Sequence, residues 1–302
     1  MDLNNLRKSF EKVGYICDES TLLTVFLALD LQKPILIEGA PGVGKTEMGK
    51  VLAEILQTDL IRLQCYEGLD ETKALYEWNY QRQLLRIQMN RSLEEEQIRE
   101  EDLFSREYLL ERPLLQAIQA EKQAVLLIDE VDKCDPEFEA FLFEVLSDFQ
   151  VSIPELGTIN ASHIPVVVLT SNNERELSDG LKRRCLYLYL DFPEAEKEVR
   201  IIKAKVPGVA DRLSWETARV VAQLRRHEDL RKKPSIAETL DWVRALVALN
   251  RNRLDGKVVA DTLNLILKNH ADQQYFKNEI GPEGVEKIIK SSDGGGEMCR
   301  CQ

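Results

Sequence analysis

Residues 34–46 read PILIEGAPGVGKT. A short apolar run gives way to Gly39, Gly42 and Gly44, and then to Lys45 and Thr46. Behind them Met48, Val51, Leu52, Ile55 and Leu56 fall on one helical stripe. Few folds accommodate this order. The apolar run reads as a buried strand. The glycines let the backbone curl without Cβ clashes. The stripe starts a helix at once, so successive N–H groups and the helix N-terminus converge on one point.

That point suits phosphate. The stretch matches G-x-x-x-x-G-K-[ST], in which the backbone of Gly39, Ala40, Pro41, Gly42, Val43 and Gly44 cradles phosphate oxygens. Lys45 supplies a mobile positive charge for the β- and γ-phosphates, and Thr46 offers a hydroxyl to Mg2+. Glu47 follows and is counted with the loop. ATP with Mg2+ is the expected ligand.

Five β-rich apolar runs occur, at 34–38, 60–64, 124–128, 165–170 and 186–190, with helical patterns between them. Three are continuously apolar, as strands buried on both faces of a parallel sheet are. Asp135 and Pro136 can open a helix whose buried face is Phe138, Phe141, Leu142, Val145 and Phe149. This alternation predicts a doubly wound α/β domain with a five-stranded parallel sheet over 1–191. From about residue 192 no strand pattern appears. Ser214 is a candidate cap for a helix reaching Glu228, Ser235 with Glu238 reads as a capping box, and 258–267 is a further helix candidate. A small all-helical domain is expected over 192–290, then a flexible tail over 291–302.

Two further stretches carry chemistry. In AVLLIDEVDK (124–133) an acidic pair ends a buried strand, where an unpaired carboxylate is costly. Asp129 is the candidate Mg2+ ligand and Glu130 the candidate base that polarises an attacking water; an acidic cap for the next helix is the plain alternative. In LTSNN (169–173) Asn172, rather than Asn173, is the candidate amide for that water or the γ-phosphate; Asn-Asn also reads as a turn.

The chain has 302 residues and a formal charge of −12, a field that repels nucleic acid and anionic lipid. Nothing in it has the length of a signal core or a membrane span. Its six cysteines are scattered, so a reducing, cytoplasmic setting is expected. Cys17, Cys65, Cys134 and Cys185 read as small core residues; Cys299 and Cys301 form a C-x-C in the tail. His163, His227 and His270 have no ligand spacing. The charged stretch 91–107 reads as a solvated helix or loop. Tyr76, Trp78 and Tyr80 suit either core packing or the gripping of a client chain.

Phosphate loop, DE-ending strand, Asn-ending strand and an Arg-Arg pair before a fifth strand, in that order, resemble the AAA+ ATPases. Within them the chain is similar to the MoxR group, whose insert hairpin corresponds to about 149–161. RLQCYEGLDETKALYEWNY, EFEAFLFEVLSDFQVSIPELGT, LKRRCLYLYLDFP and KPSIAETLDWVRAL resemble the CoxD-type members, associated with maturing carbon monoxide dehydrogenase and related molybdenum enzymes. The resemblance implies an AAA+ P-loop core with a helical lid that closes on ATP, and a homo-oligomeric ring, usually a hexamer. It also implies a von Willebrand A-domain partner and a client metalloenzyme. Arg184 lies where the family places an arginine that enters the neighbouring subunit's site, and Arg183 stands beside it. Many relatives carry a lid arginine that contacts the γ-phosphate; KKPSIAETLDW has none at that position, leaving Lys232 or Lys233. The leading expectation is an ATP-driven remodelling chaperone. The alternatives are a nucleotide-gated scaffold with slow hydrolysis and a DNA-processing AAA+ protein.

Overall fold

A computed structural model describes residues 2–93 and 100–290. The tail with Cys299 and Cys301 lies outside the described residues, as does part of the charged stretch. The chain divides into two units, the first built from Asp18–Gly39 and Lys45–Leu190 with the first nine residues. The second takes Phe10–Cys17, Ala40–Gly44 and the chain from Asp191 onward.

The first unit is organised by five strands: β1 (Ile35–Gly39), β2 (Leu60–Gln64), β3 (Val125–Asp129), β4 (Val166–Ser171) and β5 (Leu186–Leu190). They form one parallel sheet in the order β2-β3-β4-β1-β5. The expected α/β class and five-stranded parallel sheet are therefore present. β1 and β3 are buried along their whole length, and β4 nearly so, because each has a strand on both sides. β2 and β5 are edges with one neighbour each, and their outer residues reach solvent. β3 runs one residue further than its apolar run suggests, which brings Asp129 into the ladder opposite Gln64.

Helix α1 (Lys45–Leu56) leaves β1 through the glycine loop and buries Met48, Val51 and Leu52. Gly49 lets it approach the sheet: a Cβ there would sit 3.1 Å from the Leu127 side chain. Helix α2 (Pro136–Asp148) buries Phe138, Leu142, Val145 and Leu146. Asp135 stands at its N-cap position, but its side chain does not cap the helix; it accepts from the Gly68 N–H at 3.3 Å. Phe149 is the left-handed residue that ends α2, rather than part of its face, at φ 49°. It leads into an antiparallel hairpin of Gln150–Ile153 with Gly157–Asn160. A short helix, α3 (Asp179–Arg184), precedes β5 and is capped by the Ser178 hydroxyl.

A second hairpin pairs Tyr76–Trp78 with Leu109–Glu111. Trp78 is 6% exposed and meets the Phe104 ring edge-on at 5.2 Å, so it is a core residue, whereas Tyr80 is 59% exposed. Cys65, Cys134 and Cys185 are buried as expected; Cys17 is only partly so.

The second unit is helical from Asp191 onward among the described residues. Its main helices are α4 (Ala195–Lys205), α5 (Asp211–Arg226) and α6 (Ile236–Ala248); α5 and α6 pack Leu213, Val220, Leu224, Trp242 and Leu246 together, and α4 adds Val199 and Ile202 against Ala218 and Val243. Ser214 does not cap α5. The helix starts earlier, and the Ser214 hydroxyl donates back to the Ala210 carbonyl at 3.2 Å. Ser235 and Glu238 do form the capping box of α6. The last candidate splits into Gly256–Asp261 and a short turn at Leu263–Leu265.

One charged pair is sealed inside this unit. Arg225 donates to both oxygens of Glu198 at 2.6 and 2.9 Å and to the Pro234 carbonyl at 2.8 Å, with its guanidinium 4.6 Å over the Phe192 ring. Burial pushes the Glu198 carboxyl above its ordinary range, opposed by Arg225. Removing either partner of such a pair would strand a buried charge.

Candidate phosphate-binding site

The C-terminal ends of β1, β3 and β4 carry Gly39, Asp129 and Ser171 side by side, because the strand order makes them neighbours. In an open parallel sheet this is the edge at which ligands bind. After β1 the loop turns through Gly42 at φ 78° and Gly44 at φ 98°, left-handed values that favour glycine. The stretch Ala40–Gly44 groups with the second unit, where the Ile236 N–H donates to the Gly42 carbonyl at 3.1 Å. A Cβ on Gly42 would lie 2.3 Å from that of Ser235, so the turn is closed to other residues on two grounds.

Lys45 is 6% exposed, and its ammonium donates to the Gly39 carbonyl at 2.7 Å. Burial lowers its pKa; the nearby Asp132, Asp129 and Glu130 oppose that. Glu47 is 3.5 Å from Lys50 on the outer side of α1.

Asp129 is 3% exposed and is the hub of the site. Its Oδ1 accepts from the Thr46 hydroxyl at 2.9 Å and from the Thr170 hydroxyl. Its Oδ2 accepts from Arg62, which also donates to Gln64 at 2.7 Å. Glu130 follows in the left-handed conformation, φ 57° and ψ 49°, with its N–H on the Thr170 hydroxyl at 2.9 Å. That turn separates the two carboxylates. Glu130 Oε2 accepts from Gln64 at 2.9 Å and from Lys133 at 2.7 Å.

The hydroxyl of Thr46 and the carboxylate of Asp129 are hard oxygen donors in direct contact, which fits Mg2+. That ion takes one or two carboxylates and leaves its other positions to phosphates and water. Among the described residues no group of three or more His, Cys, Asp or Glu side chains could hold a metal by itself.

Asn172 follows β4 and is half-buried, whereas Asn173 is exposed at φ 60°. The Asn172 and Glu174 N–H groups donate to Asp132 Oδ2 at 3.0 and 2.9 Å. Arg183 and Arg184 lie outside this cluster, exposed at the end of α3. Arg183 is 4.0 Å from Asp179. The Arg184 guanidinium rests 5.0 Å over the Phe143 ring of α2. The helix is aimed by Glu139, which accepts from Arg175 at 2.8 Å and from the Ser178 N–H.

Arg62, Gln64, Thr170, Asp132 and Lys133 are absent from the sequence-derived set. Gln64 and Arg62 reach the acidic pair only because β2 is the strand beside β3. Asp132 and Lys133 follow the DE pair directly and were legible as neighbours of it, though not as partners.

The family model described as "AAA domain (Cdc48 subfamily)" matches residues 31–209, more than half of the chain. An uncharacterized protein of Staphylococcus aureus strain bovine RF122 / ET3-1 is 26% identical over 246 residues, 78% of this chain and 84% of its own. One from strain NCTC 8325 / PS 47 is 25% identical over the same shares. Among solved structures, a variant of Thermotoga maritima RuvB is 17% identical with a TM-score of 0.49, covering 96% of this chain and 82% of that one. Thermotoga maritima RuvB, described as a Holliday junction branch migration motor, is 18% identical with a TM-score of 0.47, covering 92% and 82%.

Arg62 holds Oδ2 of Asp129, so a cation drawn to that carboxylate would compete with it. Arg62 is half exposed, so the contact is worth about 0.4–1 kcal/mol. Replacing Arg62 by Met is expected to lower the Mg2+ concentration that half-saturates nucleotide binding by about two- to fivefold. A calorimetric titration reads it; an unchanged or raised requirement contradicts the competition.

Proposed function

Because the chain belongs to the AAA domain family, with the AAA+ P-loop fold that membership brings, we propose that it hydrolyses ATP. The observation that carries this is the contact of the Thr46 hydroxyl with buried Asp129, beside Lys45 and Glu130. A loop that only bound phosphate would have no need of a second carboxylate at the strand end.

The residues divide the work as follows. Gly42 and Gly44 shape the loop whose N–H groups face the phosphates, and Lys45 neutralises the β- and γ-phosphates. Mg2+, held by Thr46 and Asp129, supplies further charge neutralisation on the phosphate oxygens. Glu130 orients and polarises the attacking water. Asn172 offers its amide to that water or to the γ-phosphate. Arg184, with Arg183 beside it, acts on the site of an adjacent copy in a homo-oligomeric ring, as a hexamer would provide. A cation there is worth about 10³–10⁵ in rate, or roughly 4–7 kcal/mol of barrier. Two observations support this: both arginines are exposed, and they contact Asp179 and the Phe143 ring, away from their own chain's acidic pair.

At the finer level we propose a remodelling chaperone of the MoxR group, CoxD-type, working with a von Willebrand A-domain protein on a metalloenzyme that awaits its metal or cofactor. The antiparallel hairpin at 150–160 and the quoted motifs support this reading. The nucleotide-gated scaffold has one observation in its favour. Glu130 is held by both Gln64 and Lys133, which suits slow basal hydrolysis. A rate that rises with partner or client favours the chaperone; a rate indifferent to both favours the scaffold. The charge of −12 disfavours a DNA-processing role. No helix among the described residues is long and apolar enough to cross a membrane.

Glu130→Gln is expected to retain ATP binding and lose at least about 10²-fold in turnover; phosphate release at the wild-type rate would remove Glu130 from the base role. Mixing a Lys45→Ala chain with an Arg184→Ala chain should recover part of the activity, because each copy lends what the other lacks. No recovery in verified mixed rings would count against the arginine acting between subunits.

A further inference from the structure

The start of the segment after β4 is held by a buried carboxylate that the proposed mechanism leaves without a task. Asp132 is 4% exposed and lies in the turn Val131–Lys133, directly after Glu130. Its Oδ2 accepts the N–H groups of Asn172 and Glu174, at 3.0 and 2.9 Å. Asn173, between them, takes φ 60°. A left-handed residue at that place turns flanking N–H groups toward one side, which makes a concave seat for an anion. The Asp132 carboxyl group fills that seat. Its Oδ1 is buried with no hydrogen-bond partner among the described residues.

An unsatisfied buried oxygen is destabilising, and a carboxylate is a costly way to hold two amides when a serine hydroxyl could hold one. The cost is tolerated where the geometry matters. Below Asp132, a second buried carboxylate repeats the device: Glu139 holds Arg175 and the Ser178 N–H, and Arg175 also donates to the Cys134 carbonyl at 2.9 Å. The chain from Asn172 to Ser178 is thus fastened to 132–139 at several points.

We propose that Asp132 is a positioning residue for the hydrolysis. By clasping the Asn172 and Glu174 amides it sets where the Asn172 side chain stands relative to Glu130, two residues before it on the same turn. The inference rests on the ATPase reading and names the residue that couples its base to its amide. A carboxylate is suited to this because it accepts two N–H groups on one oxygen. Displacing a reacting or orienting group by about 1 Å costs up to about 10²-fold in rate.

The test is steady-state ATP hydrolysis by the full chain in four forms: wild type, Asp132→Ala, Asn172→Ala and the double variant. Asp132→Ala is expected to lower kcat by about 10- to 100-fold with KM changed by less than about threefold. Asp132→Asn, whose amide oxygen still accepts both N–H groups, should restore kcat to within about threefold of wild type. In the Asn172→Ala background the Asp132→Ala change should cost less than about threefold, since the residue it positions is gone. Wild-type kcat in Asp132→Ala, or the full loss persisting without Asn172, overturns the proposal. If Asp132→Ala does not fold, hydrogen exchange on the wild-type chain decides: the Asn172 and Glu174 amides should be protected together, and Asp132→Asn should keep them so. Rapid exchange at either overturns the clasp. A wild-type chain that hydrolyses no ATP sinks the functional reading as well, an outcome distinct from an active chain indifferent to Asp132.

Discussion

Asp129 puts a carboxylate where water hardly reaches it. A carboxylate buried to that degree is tolerated only if its lone pairs are matched. Two threonine hydroxyls meet one oxygen and a guanidinium meets the other. These contacts come from four separate stretches of chain: the start of α1, β2, the end of β3 and the end of β4. Satisfying one carboxylate therefore ties the start of α1, the acidic turn, β2 and the Asn-bearing strand to one another.

The strand order makes this possible. Placing β3 and β4 beside one another, and β4 beside β1, sets Asp129, Thr170 and Gly39 along one edge without long loops. Placing β2 outside β3 delivers Arg62 and Gln64 to the same edge. The acidic pair then shares partners: Gln64 links Arg62 to Glu130, so that events at Asp129 and at Glu130 are not independent.

The sheet was legible because burial on both faces leaves a mark in composition. AVLLI is apolar throughout and PVVVLT is so up to Thr170, and the phosphate loop follows directly on a similar run. The helical character after residue 191 was legible for the opposite reason, the absence of any strand pattern. Partners across the sheet were not legible. Arg62 and Gln64 alternate with apolar neighbours as any edge-strand polar residue does, and their role follows from which strand lies next to β2. Helix starts misled where a serine or aspartate had a choice of partner: Ser214 bonds back into its own helix, and Asp135 turns to Gly68. The capping box at Ser235 was readable because its two members specify each other. Nothing in the sequence marks Asp132 as a partner of Asn172, and only the fold brings the two together.

The account depends on Asp129 as a divalent-ion ligand. The most direct measurement is Mn2+ binding, read by electron paramagnetic resonance, to the ATP-loaded chain and to its Asp129→Asn variant. The variant should still bind ATP, and its Mn2+ affinity should fall by at least about tenfold, as loss of a coordinating carboxylate implies. Equal Mn2+ affinity in the two chains would contradict the account and leave Asp129 a structural carboxylate held by threonines and an arginine.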